Sequence, residues 1–172
     1  MHAALSPLQQ LAATTWDHGN QDFPPTSFQI TNIQSGTSAL NVIPGQLEAH
    51  FNFRFGTAST VDGLQQEVAA MLDSHTKDYS LDWSVGAEPF LTADGALRKI
   101  ATESIFEVTG YATNPSTGGG TSDGRFIIKT GAEIVELGLL NKTAHHVNEC
   151  IAVADLLVLS KIYERILEKA LL

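Results

Sequence analysis

Hydrophobic and polar positions alternate most strictly over residues 47–55. Leu47, Ala49, Phe51, Phe53 and Phe55 fall on one side, and Glu48, His50, Asn52 and Arg54 on the other. A period of two predicts a strand with one face on a core and the other facing water or a partner. Phe28 and Ile30 alternate with Gln29 and Thr31, and Tyr79, Leu81, Trp83 and Val85 alternate again, so two further strands are predicted. Between them Val61, Leu64, Val68 and Leu72 form a stripe at helical spacing, with Thr60 placed to cap a helix near residues 60–75. At the start of the chain Ser6-Pro7 reads as a helix opening, Ser6 capping, Pro7 at the first helical position and Gln9 completing a capping box. Leu5, Leu8, Ala12 and Trp16 would form its apolar face and Gly19 its end. Ser35-Gly36 and Pro44-Gly45 mark turns. The order is helix, strand, strand, helix, strand. A split βαβ, or ferredoxin-like, unit has one more strand at its beginning.

Near Pro89 the pattern changes. Leu97, Ile100, Ala101, Ile105 and Val108 predict a helix near 94–109, closed by Gly110. A short strand near 112–115, a helical stretch ending about Lys129 and a buried strand over 133–138 come next. An amphipathic helix from about Asp155 to the end carries Leu159, Ile162, Tyr163, Ile166 and Leu167. Helices alternating with short apolar strands predict α/β layering in this half.

Composition narrows the class. The chain has 172 residues, 43 % hydrophobic and 17 % charged, with a formal net charge of −9. That is a globular chain of one ordinary domain or two small ones. The acidic balance argues against nonspecific nucleic-acid binding. No apolar run approaches the roughly 20 residues of a membrane span, and residues 1–7 show neither a basic nor an apolar leader region. A soluble, cytoplasmic chain is expected. Cys150 is the only cysteine, which excludes disulfide frameworks and cysteine-only zinc sites.

Three segments could carry chemistry. The run Gly118-Gly119-Gly120-Thr121-Ser122-Asp123-Gly124 permits close backbone approach to a ligand, and a helix start there would offer free N–H groups to a carboxylate or phosphate. It has neither the spacing of a phosphate-binding Walker loop nor that of a dinucleotide fingerprint, and a tight structural turn remains the alternative. The pair His145-His146 near Glu149 could supply a metal ligand and the group that orients it, yet no further ligand stands at useful spacing and surface histidines remain the alternative. Arg54, with Asn41 upstream, could grip a carboxylate bidentately, against a merely solvated strand face.

Several strings carry a resemblance. Phe23-Pro24-Pro25-Thr26-Ser27-Phe28-Gln29-Ile30, Asn41-Val42-Ile43-Pro44-Gly45, Phe51-Asn52-Phe53-Arg54-Phe55, Gly119-Gly120-Thr121-Ser122-Asp123-Gly124-Arg125-Phe126 and Thr143-Ala144-His145-His146-Val147-Asn148-Glu149 occur in this order. Together they resemble the bacterial succinyl-diaminopimelate desuccinylases, of the di-zinc metallohydrolases that include acetylornithine deacetylase and carboxypeptidase G. The resemblance covers the whole chain and only the later part of the family's length. It implies most of a ferredoxin-like dimerisation lid lacking its first strand (residues 1–88), then the C-terminal portion of an α/β catalytic domain (residues 89–172).

The resemblance also implies roles. His145 matches the family's C-terminal zinc ligand, while His146 falls at a variable position. Asn41 matches a lid residue that reaches substrate in the dimer partner's site. Arg54 matches an arginine at the diaminopimelate end. Gly120, Thr121 and Arg125 match a substrate-holding loop, and Asn141 a further polar contact. The implied reaction is hydrolysis of N-succinyl-LL-2,6-diaminopimelate to succinate and diaminopimelate, in lysine and cell-wall synthesis, with two zinc ions per site that cobalt can replace, in a cytoplasmic homodimer. The family's other metal ligands, its general-base Glu and its lid histidine lie upstream of the matched region. Without them His145 is not expected to hold zinc tightly or the chain to activate water alone. Leu139-Leu140 and Gly118 depart from the family pattern and would alter substrate fit. The alternatives are a dimerisation or dicarboxylate-binding module without catalysis, and a related N-acyl amino acid deacylase.

Overall fold

A computed structural model describes residues 1–36, 39–118, 122–140 and 142–172. The chain divides into two compact units, Met1–Phe90 and Leu91–Leu172. Helix α1 (His2–Ala13), strands β1 (Ser27–Ser35) and β2 (Leu47–Arg54) and helix α2 (Val61–Asp73) build the first. Helices α3 (Ala96–Thr109), α4 (Gly124–Ile127) and α5 (Val153–Leu171), with a 3-10 turn over Ile128–Thr130, build the second. The class is mixed α+β. No helix among the described residues is long and apolar enough to cross a membrane.

β1 and β2 pair antiparallel, Phe28 opposite Phe53 and Ile30 opposite Phe51, with a bulge between Ile30 and Asn32. The burial of β2 alternates along its whole length, as its sequence requires. Its apolar side packs Phe51 and Phe53, with Phe55 just beyond the strand, onto the core of Leu11, Trp16, Leu64 and Val68. Trp16 lies 4.6 Å from Phe53 edge-on and 5.7 Å from Phe28 in a stack. α2 begins where expected. Thr60 accepts a hydrogen bond from the Gly63 N–H at 3.1 Å, and Leu64 and Val68 are its buried residues.

α1 differs from the sequence expectation. It starts at His2 rather than at Ser6, with Pro7 inside it, and it stops at Ala13 rather than at Gly19. Pro7 and Leu11 are its buried residues, and Leu5 is exposed. Pro7 has no N–H for one intrahelical bond, a cost that its burial offsets in part. Trp16 reaches the core from beyond the helix. Gly19, at φ +68°, belongs to a turn in which its N–H bonds Asp17 Oδ1 at 2.7 Å. A side chain there would meet the Phe23 carbonyl oxygen at 2.5 Å.

Asp17 ties three segments together. Its Oδ1 also accepts the Thr26 N–H at 2.9 Å. Its Oδ2 accepts a short bond from the Thr26 hydroxyl and another from Ser59 Oγ at 2.5 Å. Partial burial pushes this carboxyl's pKa up. The bonds from Ser59, the Thr26 hydroxyl, and the backbone of Thr26 and Gly19 outweigh that and hold it well below the usual carboxylate range.

Residues 79–85 form no strand ladder among the described residues, although their sequence alternates. Residues 112–115 and 133–138 form none either. Alternation sets where side chains go, whereas a strand also needs a neighbouring backbone. Over 133–138 polar groups bond other partners. The Ile134 carbonyl accepts from Thr92 Oγ1 at 2.5 Å, and the Leu137 carbonyl from the Tyr163 hydroxyl. The Glu133 carboxylate accepts the N–H groups of Ala96 at 3.2 Å and Leu97 at 2.6 Å, capping α3 in place of a local residue. Gly95 makes this possible, because a Cβ there would collide with Glu133 Oε1. Glu133→Ala is expected to lower the stability of this unit by about 1 kcal/mol, the usual worth of an N-cap, and Glu133→Gln by less. Urea titration of the three proteins measures this.

α3 packs on α5 through Ala101, Ser104 and Ile162. Arg165 and Lys169 of α5 bond Glu107 at 2.6 Å and 2.7 Å, and Lys169 also bonds Glu103 at 3.0 Å. Gly110 closes α3 in the left-handed conformation, as expected. Ser104 is fully buried and its hydroxyl has no partner. Removing an unpaired buried hydroxyl relieves its desolvation, and alanine is the better helix former. Ser104→Ala is expected to stabilise this unit by about 1 kcal/mol, read as a higher urea midpoint.

Candidate functional site

Asn41 and Arg54 stand at opposite ends of one hairpin. Arg54 closes β2 opposite Ser27, and Asn41 lies in the connection beyond the Ser35–Leu47 pair. The seven steps from Leu47 to Arg54 separate these ends by about 23 Å at the usual rise per residue. The two ends of β2 are therefore too far apart for one small ligand to touch both. Arg54 is exposed, on the face that also carries Glu48, His50 and Asn52. His50 Nε2 lies 3.2 Å from Glu48. Arg54 makes no ion pair among the described residues, so its guanidinium is available to an anion.

The hairpin connection is apolar at its tip. Leu40, Val42 and Ile43 are 103 %, 61 % and 71 % exposed. Ser35 Oγ bonds the Gln46 carbonyl at 2.7 Å and closes its base.

In the second unit, Arg125 lies on α4. Its guanidinium carbon sits 4.7 Å from the Phe126 ring centroid, and its Nε is buried without a partner. The expectation of free backbone donors at this helix start is not met by the described residues. The Gly124 N–H bonds Ser122 Oγ at 3.0 Å, and the N–H groups of Arg125 and Phe126 bond the carbonyls of Ser122 and Asp123. Ser122 in turn makes a short bond to Glu136. Gly120, Thr121 and Asn141 lie outside the described residues.

His145 is exposed and left-handed at φ 64°. It is the third residue of a turn in which the His146 N–H bonds the Thr143 carbonyl at 3.0 Å. A second turn, from His146 to Glu149, places Asn148 at φ 63°. Thr143 clasps this loop, its hydroxyl donating to the Cys150 carbonyl at 2.7 Å and accepting the Cys150 N–H at 3.1 Å. Positive φ in residues with a Cβ is uncommon and clusters at functional sites. Among the described residues no three His, Cys, Asp or Glu side chains converge as metal ligands. The donor set of the described residues does not by itself fit a metal centre, and His145 offers one imidazole. Sequence reading passed over Thr143, whose clasp holds this loop, and Glu136, which holds Ser122 beside Arg125. Neither stands in a spacing that signals its partner.

The comparisons agree with this architecture. Residues 1–80 match the peptidase dimerisation domain. The chain is 54 % identical to succinyl-diaminopimelate desuccinylase of Ectopseudomonas mendocina and 57 % to that of Pseudomonas syringae pv. tomato, each over 171 residues. It is 53 % identical to that of Nitrosococcus oceani over 168 residues. The first two matches cover 99 % of this chain and 45 % of the relative's length, and the third covers 98 % and 45 %. The helix-backed antiparallel hairpin of the first unit is thus the part of the chain that is similar to a peptidase dimerisation domain. More narrowly, over nearly its whole length the chain is similar to succinyl-diaminopimelate desuccinylases. It spans about half the length of the curated relatives it matches.

Proposed function

We propose that this chain supplies the dimerisation lid, the carboxylate-holding arginines and one metal-ligating histidine of a zinc-dependent amide hydrolase. Its substrate is N-succinyl-LL-2,6-diaminopimelate, cleaved by water to succinate and diaminopimelate in lysine and cell-wall synthesis. The observation that carries this reading is the similarity to named desuccinylases along 99 % of the chain. Residues 1–88 form the lid and residues 89–172 the C-terminal part of the catalytic domain. Arg54 holds one carboxylate and Arg125 another, each by paired N–H donors. Gly120, Thr121 and Asn141 complete the substrate contacts. His145 is one ligand of a two-zinc centre in which cobalt can substitute. The remaining ligands and the general base come from the portion of the enzyme that these residues do not span. Asn41, in the connection beyond the end of β2 opposite to Arg54, serves the site of the other subunit of a homodimer, which the exposed Leu40, Val42 and Ile43 help to form. The corresponding location is cytoplasmic.

The test supplies that missing portion. The chain is mixed with the unmatched part of the Pseudomonas syringae enzyme, expressed separately, and zinc. Hydrolysis of the succinylated substrate is expected in the mixture and not from the chain alone. Arg54→Ala and His145→Ala are each expected to lower the rate at least tenfold. A folded, associated mixture without hydrolysis would overturn the catalytic reading. Diaminopimelate binding by the chain alone, as a dimer, would favour a dicarboxylate-binding module.

A further inference from the structure

α4 is a single turn of four residues, none of them buried, and no side chain caps it. One isolated turn does not hold itself in place, because it fixes more backbone than its hydrogen bonds repay. Phe126 and Ile127 are exposed and give it no anchor in a core. Glu136 ties its start to the rest of the unit. The Glu136 carboxylate accepts a short bond from the Ser122 hydroxyl, and Ser122 Oγ accepts the Gly124 N–H at 3.0 Å. A Cβ at Gly124 would lie 3.2 Å from Ile134 Cγ2 and 3.4 Å from Glu136 Oε1, so the α4 backbone passes close against residues 134–136. That segment is itself held from three sides. The Glu133 carboxylate accepts the N–H groups at the start of α3, the Ile134 carbonyl accepts from Thr92, and the Leu137 carbonyl accepts from Tyr163 of α5. Glu136 is therefore a fixed point, and α4 is the part that needs one.

We infer that Glu136 is a positioning residue for Arg125, acting through Ser122. Arg125 follows Gly124 directly, so its backbone goes where the Ser122–Gly124 bond puts it. Its guanidinium carbon lies 4.7 Å from the Phe126 ring centroid, and its Nε is buried without a partner. With no acceptor to fix that N–H, packing and the backbone alone set where the guanidinium points. Paired N–H donors meet a carboxylate only within a narrow range of positions. Releasing Ser122 from Glu136 frees the start of α4 and loosens that grip. Binding weakens while the step after binding keeps its rate. The inference rests on the proposed role of Arg125 as a carboxylate holder, and Glu136 itself touches no substrate.

Two readouts on the full 172-residue chain test it. The first is exchange of the Arg125 Nε–H with water, followed by NMR and assigned by its loss in Arg125→Lys. Glu136→Ala and Ser122→Ala are each expected to speed this exchange about tenfold, with the amides of α3 and α5 unchanged. Glu136→Gln keeps the acceptor oxygen and is expected to restore slow exchange. Native-like exchange in Glu136→Ala overturns the inference. Faster exchange throughout α3 and α5 also overturns it, because Glu136 then holds the whole unit. The second readout is hydrolysis of the succinylated substrate after mixing with zinc and the unmatched part of the Pseudomonas syringae enzyme. Glu136→Ala is expected to raise KM about tenfold and to leave kcat within about twofold. Ser122→Ala/Glu136→Ala is expected to match either single variant, since both remove one bond. A fall in kcat at constant KM, or effects that multiply, overturns the inference. A native mixture without hydrolysis removes the catalytic reading, and the Nε–H exchange then decides alone whether Glu136 fixes Arg125.

Discussion

Trp16→Ala unfolds the first unit more readily than any other single truncation, with an expected loss of about 3–5 kcal/mol. Trp16 is 8 % exposed and contacts Phe28 and Phe53 at ring distances of 5.7 and 4.6 Å. It also joins the segment after α1 to the sheet and to Leu64 and Val68 of α2. Deleting the indole leaves a cavity that four rigid elements cannot close together. A unit of this size has a total stability of only about 5–13 kcal/mol, so the loss is a large fraction of it. Trp16→Phe distinguishes packing from hydrogen bonding. The indole N–H is buried without a partner, so removing it recovers desolvation energy that offsets part of the lost volume. Trp16→Phe is therefore expected to lose under about 2 kcal/mol. Far-UV circular dichroism in urea reads both variants. Equal losses for Ala and Phe would show that the N–H carries the energy, contrary to this account.

The second large effect is at Asp17. Four hydrogen bonds converge on its carboxylate, from the backbone of Gly19 and Thr26 and the hydroxyls of Thr26 and Ser59. Asp17→Ala leaves these donors to water or unpaired, and is expected to destabilise the unit by about 3 kcal/mol at neutral pH. Asp17→Asn keeps one acceptor oxygen and is expected to lose less. The pH dependence has a definite sign. The folded-state pKa is depressed below the unfolded value of about 4. The carboxylate's contribution is fully present above about pH 4 and declines as pH falls below it toward the folded-state pKa. The stability difference between the native chain and Asp17→Asn should therefore narrow from about pH 6 to about pH 3. A constant difference across that range would show that the charge plays no part.

Asp17 also shows where sequence reading stops. Its bond to Gly19 is local and legible, because Asp-x-Gly is a turn signal. Its bonds to Thr26 and Ser59 span 9 and 42 residues. Nothing in residue order announces them. Glu133, which caps α3 from 36 residues away, is hidden in the same way. The site divides along the same line. The strings around Arg54, Arg125 and His145 carried the resemblance to the desuccinylases. The left-handed turn of His145, the Thr143 clasp and the commitment of the α4 donors to Ser122 and Asp123 did not show in the sequence.

The properties that the sequence determined by itself are those that depend on near neighbours. The period of two over Leu47–Arg54 settled which face of β2 is apolar. Thr60 and Gly110 settled a helix start and a helix end. These are one-dimensional signals, read from spacing and from the φ that a residue tolerates. The tertiary structure decided the rest. Residues 79–85 alternate and residues 133–138 carry a short apolar run, yet neither forms a strand ladder among the described residues, because a ladder needs a second backbone in place. Trp16, placed on a helix face by spacing, enters the core from beyond the helix because the sheet and α2 leave room for it there. Leu47 and Arg54, close in sequence, stand far apart because a strand is extended. Alternation encodes a face, and only packing supplies the partner that the face requires.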